Sequence, residues 1–430
     1  MEHASQEKKQ HETEQAPAEK KFTPPLFGHV KQFIISHWVF FVLIGIVLLS
    51  FSVRMTDVWS TEQLRNIDSY VFYRQMSEIV QHEGSLPVHD DLTLSPLGGM
   101  TSISRAFYQF FGAYTYMFVR TILPHLSLLN FLVYFPALLA SLMAIPAYYI
   151  GKLLYDRRAG ILAALFVAFD VTLISRTLGA DPDSDAIVQL MPLVVMTIFL
   201  YSYKLMEKKK SLDKDFWVWS VLVAIMLGLW SNIWGAGYWY VLWLITGLVA
   251  SRFVIGWIRT KNIRHAWEER KYTIFNFSLF MALFLIIFII PFFGFGEVVN
   301  IVTGPIQVSH IKNEDMGLFP NVYISVAELQ SSVGIRDIIQ RTTVVSGPAL
   351  FISPFFLMLY ALGYLVYSYL RTGNHLDTLL LLLIWFLGPF VATFVAVRFS
   401  ILFVVPVVVG SAILLAKLYR VIVEEERFEV

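Results

Sequence analysis

Long apolar runs, separated by short polar or charged connections, dominate this chain. About ten of them are long enough to cross a hydrocarbon core of about 30 Å. They lie at 33–53, 127–152, 158–175, 186–205, 216–233, 236–257, 273–293, 346–369, 376–396 and 399–419. The pattern predicts an all-α polytopic membrane protein of about ten transmembrane helices, with two long loops at about 54–126 and 294–345.

The two ends of the chain differ from the apolar runs. The first 25 residues are polar and highly charged and cannot bury enough apolar surface to fold, so we expect residues 1–30 to be a disordered tail. The first apolar run is too long for the core of a cleaved signal peptide and is interpreted as a membrane anchor. The predicted membrane domain therefore covers 31–420, followed by a short tail at 421–430.

Composition agrees with a membrane protein and narrows its chemistry. Hydrophobic residues make up 57% of the chain, aromatic residues 16% and charged residues only 15%. There is no cysteine, which excludes disulfides and thiolate metal sites, so a metal would be held by oxygen or imidazole. The formal net charge of +1 gives no reason to expect a nucleic-acid partner.

The distribution of Lys and Arg predicts the orientation in the membrane. Basic residues follow every even-numbered apolar run, and they are Lys152, Arg157, Arg158, Lys204, Lys208, Lys209, Lys210, Lys214, Arg259, Lys261, Arg264, Arg270, Lys271, Arg371, Lys417 and Arg420. Because basic loops remain in the cytoplasm, both termini are predicted to be cytoplasmic. Both long loops would then be extracytoplasmic, and so would the corner "GADPDSD".

The first long loop carries the sequence "NIDSYVFYR" shortly after the first membrane exit. Asp68 could simply cap a surface helix, because Asp is a favoured N-cap residue. Alternatively, it could meet other carboxylates that leave the membrane at the same depth. Arg74 ends this motif.

The corner "SRTLGADPDSD" between two apolar runs places three aspartates within five residues. Asp183 and Asp185 form an Asp-x-Asp pair, which suits a hard divalent cation and leaves positions for substrate phosphate. A solvated acidic turn is the alternative, since Asp-Pro is a common turn signal. Asp181 is interpreted as a supporting or capping residue, and Arg176 could balance the negative charges or bind phosphate.

Two further segments carry single charged residues. "SVAE" in the second long loop runs from Ser325 to Glu328, and "VRFSILFVVPV" places Arg398 at the start of the last apolar run. A loop glutamate is often only solvated, and an interfacial arginine often only reaches for headgroups. Beside a carboxylate site, however, an arginine suits a lipid-linked pyrophosphate.

Taken in order, these four motifs resemble the catalytic subunit of oligosaccharyltransferase, most closely its single-subunit archaeal members. "DDLTLSPLGG" and "WGAGYWYVLW" are also similar to that family. The resemblance covers about 30–420 and implies a GT-C-type membrane glycosyltransferase. Such an enzyme transfers a glycan from a dolichyl phosphate or pyrophosphate carrier to the asparagine of an Asn-x-Ser/Thr sequon in an acceptor polypeptide.

The resemblance also implies roles for individual residues. Asp68, Asp183, Asp185 and Glu328 would surround Mn²⁺ or Mg²⁺, and Asp68 and Glu328 would also accept hydrogen bonds from the acceptor amide. Arg398 would bind the phosphate of the lipid-linked glycan, and Arg176 is a second candidate for that role. Arg74 and Ser325 would be motif neighbours of the two catalytic carboxylates.

The chain departs from the family pattern in two respects. Family members usually have more spans and a C-terminal soluble domain with a Trp-Trp-Asp motif, and no "WWD" occurs here. We therefore expect either a fragment or a separate chain that supplies acceptor recognition.

Two other functions stay open at this level. One is another polyprenyl-phosphate-dependent GT-C enzyme, such as one that mannosylates hydroxyl groups, for which "SVAE" would be unexpected. The other is a transporter or flippase, which predicts carboxylates inside the spans, where Asp170 is the clearest candidate.

Overall fold

The structure, a computed structural model, describes residues 37–58, 63–93, 95–101, 105–310, 329–343 and 347–424, without the side chains of 236 and 305–310. Ser325 and Glu328 lie outside the described residues, as do the predicted tail 1–30 and most of 421–430. The chain divides into two units, 1–42 and 43–430. The first is described only from His37 to Val42, where a helix begins. All contacts given below lie within the second.

Helices account for nearly all regular structure in the described part of the chain. They are α1 (Trp38–Arg54), α2 (Ile67–Gln81), α3 (Phe107–Ile122), α4 (Leu128–Ser141), α5 (Ala144–Leu154), α6 (Arg157–Phe169), α7 (Val171–Ser175), α8 (Asp185–Lys209), α9 (Lys214–Ser231), α10 (Gly235–Thr260), α11 (Ile263–Phe284), α12 (Ile290–Phe293), α13 (Phe295–His310), α14 (Ile335–Gln340), α15 (Pro354–Thr372), α16 (Leu376–Val395) and α17 (Ser400–Val423). A π-helical segment, Leu285–Ile289, joins α11 to α12, and 3₁₀ segments cover Gly347–Ile352 and Val397–Phe399. The strands β1 (His89–Asp90) and β2 (Gly99–Met100) pair antiparallel.

Among the described residues, eight helical stretches are long and apolar enough to cross a membrane. They are Leu128–Leu154, Arg157–Ser175, Asp185–Lys209, Lys214–Ser231, Gly237–Thr260, Ile263–Phe293, Leu376–Val395 and Val397–Val423. This confirms the predicted all-α polytopic class. Each coincides with one of the ten apolar runs. The other two runs correspond to α1, which has 17 residues, and to α15, whose tyrosines lower its mean hydropathy, so the count of about ten stays a prediction.

The last helix, α17, is surrounded by other helices along most of its length. It is buried along almost its whole apolar length and packs against α6, α15 and α16. Two glycines allow the backbones of α5 and α6 to pack closely against each other. A Cβ on Gly160 would lie 2.6 Å from the carbonyl oxygen of Tyr148, and one on Gly151 would lie 2.6 Å from that of Ala159. Small residues let helix backbones approach closely in membranes, where packing drives association.

The first long loop is folded in its described part. It contains α2, the β1–β2 hairpin and α3, and α2 packs on α3. The guanidinium of Arg74 on α2 lies 2.6 Å from a carboxylate oxygen of Asp90 in the hairpin, and its other end donates to Thr93. Asp90 also accepts from the Thr93 hydroxyl and the Leu92 N–H. This charged cluster fastens the hairpin to α2.

Candidate functional site

Asp68 lies in the first turn of α2, and its carboxylate is not the cap of that helix. Asn66 occupies the N-cap with extended backbone, and its side-chain oxygen accepts from the N–H of Asp68. The interpretation of Asp68 as an N-cap residue is therefore wrong. Its side chain is exposed, while the next residue, Ser69, is fully buried. The Asp68 carboxylate therefore does not cap the helix. It lies in the first turn, where a negative charge interacts favourably with the helix dipole.

Main-chain hydrogen bonds hold the corner that precedes α8 on three sides. The N–H of Gly179 donates to the carbonyl of Arg54 at 2.9 Å, and the N–H of Ala180 donates to that of Val133 at 2.8 Å. The carbonyl of Ala180 accepts from Arg65, just before α2, at 2.7 Å. Ala180 has a φ of 60°, a left-handed conformation that costs energy for a residue with a Cβ. The two bonds of Ala180 hold it in this conformation, and the three bonds together fix the corner to α1, to α4 and to the residue before α2.

A buried arginine supports the same corner from beneath. The Arg54 side chain is 1% exposed and donates to the Thr177 hydroxyl at 3.0 Å and to the Ala168 carbonyl at 2.8 Å. It also donates to the Ser50 hydroxyl at 2.6 Å. Because each bond reaches a different element, Arg54 joins the end of α1 to α6 and to the start of the corner.

The carboxylates of α2 and of the corner come together. The Ser69 hydroxyl donates to Asp181 at 2.6 Å across 112 positions of sequence. Burial raises the pKa of the Asp183 carboxyl, the neighbouring charges of Asp181 and Asp68 raise it further, and the N–H of Ser184, which donates at 2.5 Å, opposes this. The negative charge of Asp68 therefore acts on the Asp183 carboxyl, and the arrangement of these carboxylates around a metal ion stays a prediction.

A buried tyrosine lies under the three corner aspartates. Tyr108 of α3 is 1% exposed, and its hydroxyl donates to the carbonyl of Pro182 at 3.1 Å. Burial, and then the charges of Asp183, Asp181 and Asp185, raises the pKa of this hydroxyl well above its ordinary value. The phenol therefore stays protonated and serves as a neutral donor that supports the corner.

Arg176 lies beside the second member of the Asp-x-Asp pair. Its guanidinium is 4.0 Å from a carboxylate oxygen of Asp185, at the start of α8. Of its two predicted roles, the balancing of negative charge has a partner within ion-pair distance. Arg74, the motif neighbour, is instead engaged with Asp90, which holds the pKa of that carboxyl well below its ordinary range.

Arg398 belongs to the 3₁₀ segment that precedes α17, and its side chain reaches Trp234, the residue before α10. Its guanidinium is 5.8 Å from the centre of the Trp234 ring, within the range of a cation–π contact. The segment that follows Glu328 in sequence reaches the same place, because the carbonyl of Gln330 accepts from the N–H of Val397 at 2.9 Å. Glu328 itself and Ser325 are outside the described residues, so their predicted positions stay predictions.

A second arginine, Arg105, lies near Trp234 and had no place among the sequence motifs. A Cβ on Gly235 would lie 2.4 Å from its guanidinium, which is 3.7 Å from the buried carboxylate of Glu297. Tyr238 and Asn300 donate to Glu297 at 2.7 and 3.0 Å. Just after Arg105, the N–H of Phe107 donates to Asn232 at 3.3 Å, so the start of α3 connects this cationic region with the corner that Tyr108 supports.

The corner has the donor set of a divalent-cation site, although the described residues contain no preformed cluster of three or more His, Asp or Glu side chains at metal-binding distances. Its charged groups are carboxylates, the oxygen ligands that Mg²⁺ and Mn²⁺ prefer. Burial is the main cause of the raised pKa of Asp183, and repulsion from Asp181 and Asp68 adds to it; a bound cation would offset both effects. The predicted ligands Asp68, Asp183 and Asp185 thus fit a hard cation.

Several residues of this site were not anticipated. Ser69 and Tyr108 are single polar residues in otherwise ordinary helical segments, and their partners lie 112 and 74 positions away. Arg54 resembles any arginine at a membrane exit. Its only signal is the run "SFSVR", in which Ser50 precedes the arginine by four positions, about one helical turn.

Comparison with solved structures shows the fold. The archaeal oligosaccharyltransferase AglB from Archaeoglobus fulgidus, in complex with an inhibitory peptide and a dolichol-phosphate, superposes with a TM-score of 0.64 at 18% identity, over 90% of this chain and 51% of that one. A complex of the Archaeoglobus fulgidus oligosaccharyltransferase with Zn and sulfate gives 0.62 at 20% identity, over 88% and 49%. The chain therefore spans about half the length of these structures.

Sequence comparison identifies the family. A dolichyl-phosphooligosaccharide-protein glycotransferase of Methanococcus voltae is 23% identical over 307 residues, which is 67% of this chain and 33% of that protein. Residues 38–428 match the family model described as oligosaccharyl transferase STT3, N-terminal. The match covers nearly the whole chain and confirms the predicted resemblance. This protein belongs to the STT3 family of oligosaccharyl transferases.

Proposed function

We propose that this protein transfers an oligosaccharide from a dolichyl phosphate or pyrophosphate carrier to the asparagine amide nitrogen of Asn-x-Ser/Thr sequons. Membership of the STT3 family supports the reaction class. The observation that carries the proposal is the hydrogen bond from Ser69, the residue after Asp68, to Asp181 of the corner. The charge of Asp68, which adds to the raised pKa of Asp183, supports it. The chain spans about half of its structural relatives, so activity is tested directly below.

The carboxylates address the weak point of the reaction, which is the nucleophile. An amide nitrogen has its lone pair delocalised into the carbonyl, so the C–N bond is planar and the nitrogen attacks poorly. Asp68, with Glu328 as the proposed second carboxylate, would accept hydrogen bonds from the amide NH₂ group and turn it out of conjugation. As the sugar's anomeric carbon leaves its phosphate oxygen, it bonds to the amide nitrogen, and the amide proton passes to a carboxylate.

Asp183 and Asp185, together with Asp68 and Glu328, would hold a divalent cation, with Mn²⁺ or Mg²⁺ as the proposed ions. When bound, it would supply positive charge where negative charge develops on the phosphate. Tyr108 and Ser69 would keep the carboxylates in place, since both donate into the corner. Arg176 would offset the charge of Asp185 and reach phosphate once that carboxylate is otherwise engaged.

The arginines near Trp234 suit the leaving group. Arg398 and Arg105 place two permanent cations at the start of α10, beside the segment that continues from Glu328. Guanidinium groups bind phosphate oxygens in pairs and act strongly where water is scarce. We assign Arg398 to the carrier phosphate, and Arg105 to a supporting position through Glu297.

The site is proposed to face the extracytoplasmic side, with both termini in the cytoplasm. Support comes from α8, whose 25 residues begin at Asp185 and end with Lys208 and Lys209 in the last turn. A helix of that length extends about 37 Å, which exceeds the hydrocarbon core. The carboxylates and the basic loop therefore belong to opposite membrane faces, and basic loops stay inside.

A transfer assay tests the proposal. Purified protein, an archaeal lipid-linked oligosaccharide and Mn²⁺ are incubated with a peptide that contains Asn-x-Thr, and a Gln-x-Thr peptide serves as the control. We expect glycopeptide only with asparagine, and its loss when the cation is chelated. Transfer to the Gln-x-Thr peptide, on its hydroxyl, would favour the hydroxyl-mannosylating enzyme instead. Carrier binding without glycopeptide from either peptide would contradict the transferase function of this chain.

A further inference from the structure

A cavity of about 390 Å³ lies at the other ends of the helices, away from the corner. Its wall is formed by the ends of α5, α8, α10 and α15 and by the starts of α11 and α16. These are the helix ends that carry the basic loops. The described residues that line it include four basic side chains, Lys204, Arg252, Arg259 and Arg270. They also include two carboxylates, Glu269 and Asp377.

Two of the four cations are already paired. Arg252 forms an ion pair with Asp377, and Arg270 forms ion pairs with Glu207 and Glu269. The Arg270 side chain is only 9% exposed, and its Nε is buried with no hydrogen-bond partner among the described residues. A buried N–H of this kind is costly unless something accepts from it. Because the Arg270 side chain lines the cavity, an acceptor bound there would lie beside it.

The other two cations leave an excess of positive charge. Within the described part of the chain, no carboxylate lies at ion-pair distance from Lys204 or Arg259. The same excess acts on His375, which lines the cavity: burial and then the charges of Lys204, Arg420 and Lys417 lower the pKa of its imidazole. Neutral His375 therefore adds a hydrogen-bonding ring next to the two cations and no further charge.

We propose that this cavity binds a phosphate ester anion at the cytoplasmic membrane surface. The guanidinium of Arg259 and the ammonium group of Lys204 provide the charge that phosphate oxygens require, and the buried N–H of Arg270 is a further donor. Basic pockets between transmembrane helices on this side commonly receive anionic lipid headgroups. A soluble phosphate ester has the same chemistry, so the experiment separates the two sources. The proposal does not depend on the transferase function.

The test compares lipid retention in two double variants of the purified full chain. Lys204→Gln with Arg259→Gln removes the two cations that have no carboxylate at ion-pair distance and leaves the buried Arg270 pairs intact. Lys208→Gln with Arg264→Gln removes the same charge from positions of α8 and α11 that are exposed, as Lys204 and Arg259 are, but do not line the cavity. Unfolding temperatures without lipid check that both variants fold.

Native mass spectrometry then measures the retention of phosphatidylglycerol relative to phosphatidylcholine. We expect the wild type and the control variant, Lys208→Gln with Arg264→Gln, to prefer phosphatidylglycerol. The cavity variant, Lys204→Gln with Arg259→Gln, should bind it at least about tenfold more weakly, because each interfacial cation contributes to headgroup binding. Inorganic phosphate that raises the unfolding temperature of the wild type alone, without a lipid preference, would assign the site to a soluble phosphate ester. Equal behaviour of the cavity variant and the wild type towards both probes would overturn the proposal.

Discussion

Two charged clusters that both involve α2 differ in how their carboxylates are neutralised. In the hairpin cluster, formed by Arg74, Asp90 and Thr93, the single carboxylate has a cation and two further donors. The carboxylate corner, formed by Asp68, Asp181, Asp183 and Asp185, contains four carboxylates, and the guanidinium of Arg176 lies 4.0 Å from a carboxylate oxygen of Asp185. The pKa of Asp90 is lowered, while that of Asp183 is raised.

The difference separates charge that stabilises the fold from charge that the fold must tolerate. A depressed carboxyl pKa means that the folded state favours the ionised group, and a raised one means that ionisation opposes folding. Unfavourable charge clusters persist where they serve binding or catalysis. The corner therefore has the features of a site, and the hairpin cluster those of a structural fastening.

The largest expected effect is on transfer activity. Asp183→Asn and Asp68→Asn each remove a corner charge and keep the shape, so glycan transfer should fall by at least about 100-fold, because the cation and the acceptor amide lose a ligand. The matched control is Asp90→Asn, the same change in the hairpin cluster, which should retain most activity. Product yields are compared by mass spectrometry of the peptide. Full activity in Asp183→Asn would remove the distinction between the clusters.

Stability should respond in the reverse order. Asp90→Asn loses a charge-assisted bond from Arg74 and weakens two others, which should cost about 1–3 kcal/mol locally. Asp183→Asn should cost nothing, or should stabilise the protein when no cation is present. Limited proteolysis of the hairpin and thermal unfolding measure both. A hairpin that is as resistant in Asp90→Asn as in the wild type would show that Arg74 does not fasten it.

The pH dependence should also differ in sign between the two sites. Because the folded-state pKa of Asp183 is raised, its ionisation destabilises the protein as pH rises from about 4, the ordinary Asp value, through the raised pKa. The unfolding temperature of Asp183→Asn should therefore exceed that of the wild type at pH 7, and this gain should shrink towards pH 4. Because the pKa of Asp90 is lowered, its contribution is present at pH 7 and is lost below about 4. Parallel curves for the two variants would contradict these assignments.

The smallest effect concerns the positioning of the corner. Ser69→Ala removes the buried donor to Asp181, which should cost about 1 kcal/mol and reduce transfer several-fold. Ser77→Ala on the same helix removes only an exposed bond with Gln81 and serves as the control. The readout that separates positioning from simple destabilisation is the Mn²⁺ concentration for half-maximal activity, which should rise only in Ser69→Ala. An unchanged Mn²⁺ requirement would limit Ser69 to a structural role.

Hydropathy was sufficient to predict the helices but not where they break. The run 127–152 predicted one helix, whereas the structure divides it into α4 and α5. Proline at 136 and 146 gives a local reason for a break, but hydropathy does not register it. The hydropathy pattern assigned the second long loop, about 294–345, no apolar run and no helix bounds, and the structure places α13 in it. Its Gly and Pro residues obscure a helical pattern that packing on α10 stabilises.

The candidate site was partly predictable, for a related reason. Asp183 and Asp185 are conspicuous because carboxylates are rare beside apolar runs. Glu297 and Arg54 are not conspicuous, since a loop glutamate and an arginine at a membrane exit usually meet water. Both are buried only because Tyr238, Arg105 and Thr177 arrive from remote parts of the chain. A one-dimensional pattern contains no information on which distant side chain will satisfy a charge.

The backbone anchoring of the corner has an evolutionary consequence. Tyr108 donates to the main-chain carbonyl of residue 182, and Ala180 is held by two main-chain hydrogen bonds. The acceptors and donors that shape the corner are therefore mostly main-chain groups, which do not depend on the side chains at these positions. Substitutions of similar size can therefore accumulate around the aspartates while the corner keeps its shape. The shape of the corner is therefore set more by main-chain groups than by the side chains around it.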